Sequence, residues 1–356
     1  MVDSTYERYS AGELIAFGAG LMHRVGVPED RADRTVSILV EGDLLGHTTH
    51  GLALLPAYLD EVVKGSMATD VDVEVINDFG ASAVWDGNRL PGPWLVSTGI
   101  ELGLERVKQH GSFALAIRRS HHIGCLAAYL TLATDQGCVV IVSSSDPSVE
   151  SVAPFGGTAR MITPNPIAAG FPTSGQPILL DISMSTTTNA MVTRAHREGR
   201  DLPFPWLLDA RGNATSDPSV FFAEPPGSIL PLGGKDLGYK GFGLGLLIEA
   251  LTSGLAGRGR ADPKEGWGAS VFIQLFCPEF FGGSEAFRRQ MDFLVTTAHA
   301  SPTATGHERV RLPGERALEH RHEQLRDGVA LHPSIMPALH SWAGRLGVES
   351  PVPVTM

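Results

Sequence analysis

Cysteine is scarce in this sequence of 356 residues, which contains only Cys125, Cys138 and Cys277. An odd number of cysteines cannot pair completely, and their spacing does not resemble that of a zinc-binding motif. Disulfides persist mainly in oxidising compartments. The cysteine content therefore predicts a protein of the reducing cytoplasm.

Positive charge and long apolar runs are also lacking. Lysine and arginine number 28 against 39 aspartate and glutamate residues, and the formal net charge is -11. A nucleic-acid surface normally needs a basic excess, so that class of partner is not expected. No apolar run approaches the ~18–20 residues that cross a bilayer, and residues 1–7 lack the order of a signal peptide. The sequence predicts a soluble protein with no membrane partner.

Two common phosphate-binding motifs are missing. No G-x-G-x-x-G follows a predicted strand, and no G-x-x-x-x-G-K-[ST] occurs in the chain. A conventional Rossmann fold or P-loop is therefore not expected. Glycines do flank Tyr239 and Lys240, where backbone N–H groups and an ammonium can meet a phosphate together. Tight turns and close helix packing explain this loop equally well when it is taken alone.

A helical pattern fills the first ~70 residues, where apolar positions recur at helical spacing over 14–25, 32–40 and 52–63. Ser10 and Glu13 have the spacing of a capping box ahead of the first stretch. The segment 43–51 lies between the second and third stretches and carries two histidines. We expect it to form a junction between helices.

Strand patterns follow that helical part. Alternation at 71–75 predicts a half-buried strand with a hairpin partner at 83–85. Continuous apolar runs at 113–117 and 138–142 predict buried strands, and helical patterns stand between these strands. Strands that alternate with helices indicate an α/β domain. Small polar residues at 143–146 end the last run, which suggests that this strand opens onto a site.

His50 is the first candidate for chemistry. Histidine is the side chain best suited to exchange a proton near neutral pH. Gly51 follows it, and the absence of a Cβ lets a substrate or cofactor approach the backbone there. An isolated H-x-x-H is also typical of an ordinary surface loop, so this segment decides nothing by itself.

Several segments, in order and at approximate spacing, resemble the type-2 malate/L-lactate dehydrogenase family. Its members include ureidoglycolate dehydrogenase, diketogulonate reductase, sulfolactate dehydrogenase and piperideine-carboxylate reductase. The matching segments are 43–51, 120–124, 153–166, 180–185, 230–243 and 311–315. The resemblance implies an α/β, non-Rossmann nicotinamide-binding fold of the sulfolactate dehydrogenase type and a homodimer. It also implies hydride transfer between NAD or NADP and a small 2-oxo or 2-hydroxy acid, or a related carbonyl or cyclic imine.

The same resemblance implies roles for individual residues. His50 matches the histidine that donates a proton when the carbonyl or imine is reduced, Thr49 stands in place of a relay serine, and Asp181 matches the relay carboxylate. His122 matches a second histidine that lines the pocket, and Ser145 is a further candidate substrate contact. The positions that match dinucleotide-binding stretches are Pro177, Ile178, Leu179, Leu180, Asp181, Ile182, Ser183, Tyr239, Lys240, Gly314, Glu315 and Arg316.

Leu54 departs from the family pattern. It stands four residues after the catalytic histidine, where relatives carry an arginine that grips the substrate carboxylate. A leucine cannot replace a guanidinium in that role. Three interpretations follow: Arg118, Arg119 or Arg160 supplies the charge from another loop, the substrate lacks that carboxylate, or the chain binds cofactor with little or no activity.

Two further departures lie in or beside the expected pocket. His121-His122 replaces the family's Asn-His, and Thr163-Pro164-Asn165-Pro166 replaces Gly-Thr-Asn-Pro. Together with Leu54 they predict a substrate other than plain malate or lactate. The sequence does not name that substrate.

A metal site is the alternative from another class of function. His47, His50, His121 and His122 suit zinc in number, and a zinc-dependent hydrolase would use them as ligands. The dehydrogenase interpretation assigns no metal. It also treats the tryptophans, Trp267 among them, as packing residues.

The predicted domain organisation has three parts. Residues 1–70 form a helical part that carries the catalytic histidine, and 71–300 form the α/β nicotinamide-binding domain. Residues 301–356 form a helical part that packs with 1–70. The catalytic cleft is expected between these units, with His50 reaching in from the first.

Overall fold

The computed structural model describes residues 6–354; the sequence prediction about a signal peptide falls largely outside them. The α-helices are α1 (Ala11–Arg24), α2 (Glu29–Leu44), α3 (Leu55–Val63), α4 (Gly92–His110), α5 (Leu130–Thr134), α6 (Asn189–Arg197), α7 (Gly234–Glu249), α8 (Ser284–His299), α9 (Glu315–Asp327) and α10 (Ile335–Leu346). The strands are β1 (Arg8–Tyr9), β2 (Glu74–Asp78), β3 (Ser82–Asp86), β4 (Ser112–Ser120), β5 (Val139–Ser145), β6 (Pro166–Phe171), β7 (Ile178–Ser183), β8 (Leu207–Leu208), β9 (Ala214–Thr215), β10 (Ser228–Ile229), β11 (Ala269–Phe276) and β12 (Val329–Ala330). No described helix is long and apolar enough to span a membrane.

Seven strands form the central sheet, in the order β2-β3-β4-β11-β5-β6-β7. The β3–β4 pair is parallel and is connected through α4, whereas the remaining neighbours are antiparallel. The α/β class expected from the sequence is confirmed. The sheet is nevertheless mixed and mostly antiparallel, because β5, β6 and β7 follow one another without an intervening α-helix.

The prediction of a half-buried strand at 71–75 was wrong in detail. The strand begins at Glu74, and its hairpin partner is β3, as expected. Val71, which precedes β2, and Val75, on this edge strand, are exposed, whereas Val73 between them packs partly buried against the core of the sheet. Alternating valines therefore do not mark a buried face here.

The three helical stretches at the start of the chain are confirmed as α1, α2 and a short 3₁₀ turn that leads into α3. Ser10 is the N-cap residue of α1, but its side chain makes no capping hydrogen bond. These helices share one apolar core with α10, including Leu14, Leu39, Tyr58, Leu339 and Trp342. The domain boundaries at 70 and 300 stay a prediction.

A second apolar core lies between the sheet and α4 and α5. Ile38 on α2 and Leu45 just after it belong to this core. Leu39 of the same helix belongs to the first core, which is formed by α1, α2, α3 and α10 and is called the helical core below. Helix α2 is therefore shared by both cores. Helix α2, from whose C-terminal end the segment 43–51 departs, packs against α4 and the 3₁₀ turn Leu126–Tyr129.

Candidate active site

The histidine segment is anchored by a buried carboxylate. Asp43, 1% exposed, accepts a hydrogen bond from the backbone N–H of Leu52 at 2.7 Å. Burial raises the pKa of Asp43 to about 7. The loop is closed on itself as well, because His47 N–H donates to Gly42 and His50 N–H donates to the His47 carbonyl.

Gly51 has a different reason for lacking a side chain than the one expected. A Cβ on Gly51 would lie 2.3–2.5 Å from the carboxylate atoms of Asp43. The space beside this glycine is therefore filled by Asp43, and the expectation that it leaves room for a substrate or cofactor was wrong. Gly51 instead lets Asp43 reach Leu52 and hold the loop.

His50 is oriented by its neighbour. Thr49 Oγ1 lies 2.9 Å from His50 Nδ1, so the expected hydroxyl–imidazole pair is formed. Burial, and the positive charge that His47 would carry, lower the pKa of His50 to about 4. The imidazole is accordingly neutral near pH 7 and ready to accept a proton.

His122 faces His50, with ring centroids 5.9 Å apart and the planes at 29°. The backbone N–H of Gly124 donates to His122 Nδ1 at 3.2 Å. Burial holds the pKa of His122 well below its ordinary value, so the ring is neutral. Because Nδ1 accepts this hydrogen bond, the single ring proton resides on Nε2, which is a hydrogen-bond donor.

Trp267 completes an aromatic cluster around the two histidines. Its ring lies 4.8 Å from that of His122, 5.1 Å from that of His121 and 5.6 Å from that of Tyr58. Sequence reasoning treated Trp267 as a packing residue and did not place it beside the site. The available signal was an aromatic residue between two glycines, Gly266 and Gly268, immediately before a strand.

Asp181 lies on β7 and points toward the N-terminus of the 3₁₀ turn Leu126–Tyr129. Its Oδ2 accepts from Ala127 N–H at 2.9 Å and lies 3.8 Å from Cys125 Sγ. Burial raises the pKa of Asp181, whereas the charge of His47 acts in the opposite direction. The polar groups around this carboxylate therefore include Cys125, the Ala127 N–H and His47. The role of Asp181 in a relay through Thr49 to His50 stays a prediction.

The expected dinucleotide-binding residues lie along β7, at the start of α9 and on α7, where Tyr239 and Lys240 are exposed. At the start of β7, Leu179 N–H donates to Pro313 at 3.1 Å, and a Cβ on Gly314 would lie 2.7 Å from Leu179 Cβ. Beyond its end, Leu232 N–H donates to Met184 at 2.7 Å, which fixes the chain just before α7. A cavity of about 360 Å³ opens where the start of β7 meets the residues just before α9. Its lining includes Pro177, Ile178, Thr296, His299, Leu312 and Glu315.

The three arginines considered as replacements for the missing guanidinium are all engaged elsewhere. Arg118 and Arg119 donate to the buried carboxylate of Asp86 at 2.9 and 3.1 Å, and Arg119 also bonds Glu265. Arg160 donates to the carbonyls of Gly227 and Phe221, and its guanidinium lies 3.9 Å from the centre of the Phe221 ring.

The other two candidate substrate contacts differ in setting. Ser145, 1% exposed, donates to Glu249 at 2.7 Å and accepts from Arg260 at 3.0 Å. Its hydroxyl is thus part of a buried polar network at the end of β5. Leu54 is half-buried and packs, like Trp267, against the helical core.

The four-histidine zinc site was wrong. Within residues 6–354, no three of His47, His50, His121 and His122 bring their ring nitrogens within 4.8 Å of one another. Both ring nitrogens of His121 are buried, and its Nε2 lies 3.6 Å from the carboxylate of Glu61. His50 and His122 use Nδ1 for contacts with Thr49, Tyr58 and Gly124 instead.

Comparison with known proteins shows the family to which the chain belongs. The family described as malate/L-lactate dehydrogenase matches residues 9–340. The chain belongs to this family. Membership makes it a dehydrogenase of the malate/L-lactate dehydrogenase type.

Relatives and solved structures of the family cover nearly the whole chain. An L-lactate dehydrogenase of Cupriavidus necator is 32% identical over 332 residues, 91% of this chain and 94% of that protein. The structure of malate dehydrogenase from Pyrococcus horikoshii has a TM-score of 0.88 at 25% identity and covers 98% of both chains. A delta1-piperideine-2-carboxylate reductase from Pseudomonas syringae has a TM-score of 0.81 at 26% identity, covering 95% of this chain and 100% of that one.

Proposed function

We propose that this protein is an NAD(P)-dependent oxidoreductase that transfers a hydride between a nicotinamide cofactor and a small 2-oxo or 2-hydroxy acid, or a related carbonyl or cyclic imine. His50 is the proton donor and acceptor. The observation that carries the proposal is the pair of neutral imidazoles, His50 and His122, held face to face by separate hydrogen bonds.

The two histidines have different tasks in this proposal. His50 takes the proton of the substrate hydroxyl during oxidation, because a neutral imidazole is a base at neutral pH. In the reducing direction it must first be protonated, which its lowered pKa opposes. The Nε2–H of His122 donates a hydrogen bond to a substrate oxygen and fixes its orientation.

The residues expected to hold the cofactor fit such a group. Gly314 has φ +91 and no room for a Cβ, so the start of α9 lies directly against β7. The N-terminus of a helix favours phosphate, and Arg316 and Lys240 add positive charge on two of these stretches. In this proposal the cofactor does not bind to a Rossmann fold, because β7 is an edge strand that pairs antiparallel with β6. The nicotinamide, when bound, supplies or accepts the hydride.

The engaged arginines support a narrower substrate. Arg118, Arg119 and Arg160 each have acceptors of their own, and the position four residues after His50 is the apolar Leu54. We therefore propose that the substrate lacks the carboxylate that the arginine at this position binds in relatives and carries an apolar group there. The aromatic ring of Trp267 and the side chain of Leu54 are suited to such a group.

Homodimerisation is part of the proposal. Helix α8 has no buried residue, and it exposes Phe293 and Leu294, 65% and 54% accessible. Phe280 and Phe281 are exposed just before it. Apolar surface of this extent is typical of a subunit interface, and a second copy of this chain is the proposed occupant. Light scattering of the purified protein tests this directly.

Three free thiols, two of them buried, are consistent with a cytoplasmic setting.

The test of the function is a cofactor screen followed by a substrate panel. NADH or NADPH that binds the folded state raises the melting temperature by mass action. Loss of the reduced cofactor's absorbance with monocarboxylic 2-oxo acids or cyclic imines would confirm the reaction. Stabilisation without turnover across the panel would favour a cofactor-binding relative without activity. No stabilisation by either nucleotide would refute the proposal.

A further inference from the structure

We propose that His47, Cys125 and Asp181 form a binding site for a soft divalent cation, zinc above all, beside the catalytic histidine. Each residue offers one ligand atom, and the three atoms all lie within 4.8 Å of one another. Among residues 6–354 this is the only group of three or more such side chains that meets this distance. The site is separate from the four-histidine arrangement and uses only one of those histidines.

The distance between two of the ligand atoms is close to that found in a zinc site. In a tetrahedral zinc site, bonds of about 2.3 Å to sulfur and 2.0 Å to oxygen place the two ligands roughly 3.5 Å apart. Cys125 Sγ and Asp181 Oδ2 are 3.8 Å apart. The Cys125 S–H donates a long hydrogen bond to Asp181 at this distance, which is only about 0.3 Å greater than the separation set by a shared zinc ion. A solvent molecule would take the fourth position, as is common where three protein ligands bind zinc.

The ligands are held in place by the backbone around them. Gly42, near the end of α2, accepts the hydrogen bond of His47 N–H at 2.8 Å, and a Cβ on it would lie 3.3 Å from Cys125 Cβ. Asp181 is held by Ala127 N–H at 2.9 Å. Two of the ligands therefore pack on one turn of α2, and the third is tied to the turn that follows Cys125.

The charges of the set also match a divalent cation. A thiolate and a carboxylate carry two negative charges, and an imidazole that binds a metal ion is neutral, so the occupied site has no net charge. Burying a neutral assembly avoids the large desolvation cost of an isolated ion. When zinc binds, the S–H bond of Cys125 breaks, a Zn–S bond forms, and the proton passes to solvent.

Cobalt(II) provides a readout that does not depend on turnover. The purified full-length protein, free of nucleotide and reductant, is titrated with cobalt(II), and the thiolate-to-cobalt charge-transfer absorbance is followed. We expect the band to saturate at one cobalt per chain and to disappear when one equivalent of zinc is added. Absence of the band in the unaltered protein would overturn the proposal.

Matched variants identify the ligands. Cys125→Ser should remove the band, whereas Cys138→Ser, which alters another buried cysteine away from the cluster, should leave it unchanged. His47→Gln changes a half-buried ligand and should weaken zinc binding by about 10- to 100-fold or more, since even outer-shell changes have effects of that size. A band that survives Cys125→Ser and is lost in Cys138→Ser would assign the metal to a different thiol and overturn the proposal.

Zinc binding does not rest on the dehydrogenase activity, but it has a consequence for it. A cation at this site occupies Asp181 and lies near His50, so zinc should inhibit turnover and a chelator should restore it. If the cobalt band appears in a protein that reduces no substrate, the metal site stands and the proposed function fails. If turnover is observed without a cobalt band, the proposed function stands and the metal site fails.

Discussion

The hydroxyl of Tyr58 lies 2.9 Å from Nδ1 of His122 and 3.0 Å from the carbonyl oxygen of the same residue. One buried hydroxyl therefore contacts both the ring and the backbone of the second histidine. Since Gly124 already donates to Nδ1, Tyr58 restrains the ring without changing which nitrogen carries the proton. It is a positioning residue in the proposed mechanism.

Tyr58→Phe removes this hydroxyl and leaves the ring packing unchanged. We expect kcat to fall about 10-fold, the equivalent of one hydrogen bond of roughly 1.4 kcal/mol, with nucleotide affinity unaffected. Tyr129→Phe is the matched control, because it removes another fully buried hydroxyl, which bonds the Ile123 carbonyl. Equal loss of activity in both variants would show that the effect is one of stability alone.

His50→Gln should reduce turnover by about 10²- to 10⁴-fold, the usual contribution of a general acid or base. Cofactor affinity, measured by thermal shift, should change little. His340→Gln on the exposed face of α10 serves as the control and should retain full activity. A His50 variant that keeps most of its rate would contradict the assignment of this residue.

Leu54→Arg places a guanidinium at the position that is apolar in this chain. We expect kcat/KM for a dicarboxylic substrate to rise at least ~10-fold relative to a monocarboxylic one, because a bidentate carboxylate contact becomes available. Leu54→Met keeps the position apolar and should leave the ratio unchanged. No shift in the ratio after the arginine substitution would mean that residue 54 does not face the substrate.

The stability of the protein should fall as the pH decreases from about 6.5 toward 4. Burial lowers the pKa of His50 to about 4 and of His121 to about 3, and that of His122 far below its usual value. These rings are neutral in the folded state and protonated in the unfolded one, so the unfolded state binds three more protons. Asp43 acts oppositely, because its raised pKa of about 7 makes the folded state bind one more proton.

The difference, three protons minus one, gives a slope of about 3 kcal/mol per pH unit near pH 5 for these four groups. Urea unfolding at several pH values measures this slope. His121→Phe should lower the measured slope by about 1.4 kcal/mol per pH unit, since it removes the uptake of one proton on unfolding. An unchanged slope would show that His121 is protonated in the folded state, for example through Glu61.

Long amphipathic patterns were the most predictable part of this chain. The stretches at 14–25 and 32–40 specify α1 and α2, because each presents a continuous apolar face to a core. The valines at 71 and 75 misled, because alternation alone does not say whether a second layer covers the strand. Exposure of β2 follows from the order of the whole sheet, which no local pattern contains.

The site was predictable where its chemistry lies in one segment, as in Thr49–His50. It was not predictable where residues distant in sequence meet. Trp267 reaches His122 only because β11 lies between β4 and β5. The space beside Gly51 was not predictable for a related reason. It is filled by the buried carboxylate of Asp43, eight positions earlier in the sequence.

The pairing of β1 with β12 joins Arg8 to Ala330 and Tyr9 to Val329. Helices α1 to α3 are therefore synthesised long before the strand and helix that complete their core. At a synthesis rate of about 5–20 residues per second, their apolar faces remain without these partners for tens of seconds. The histidine segment, formed early in synthesis, acquires its final surroundings among the last steps of folding, and nascent chains of this protein are expected to depend on chaperones during that interval.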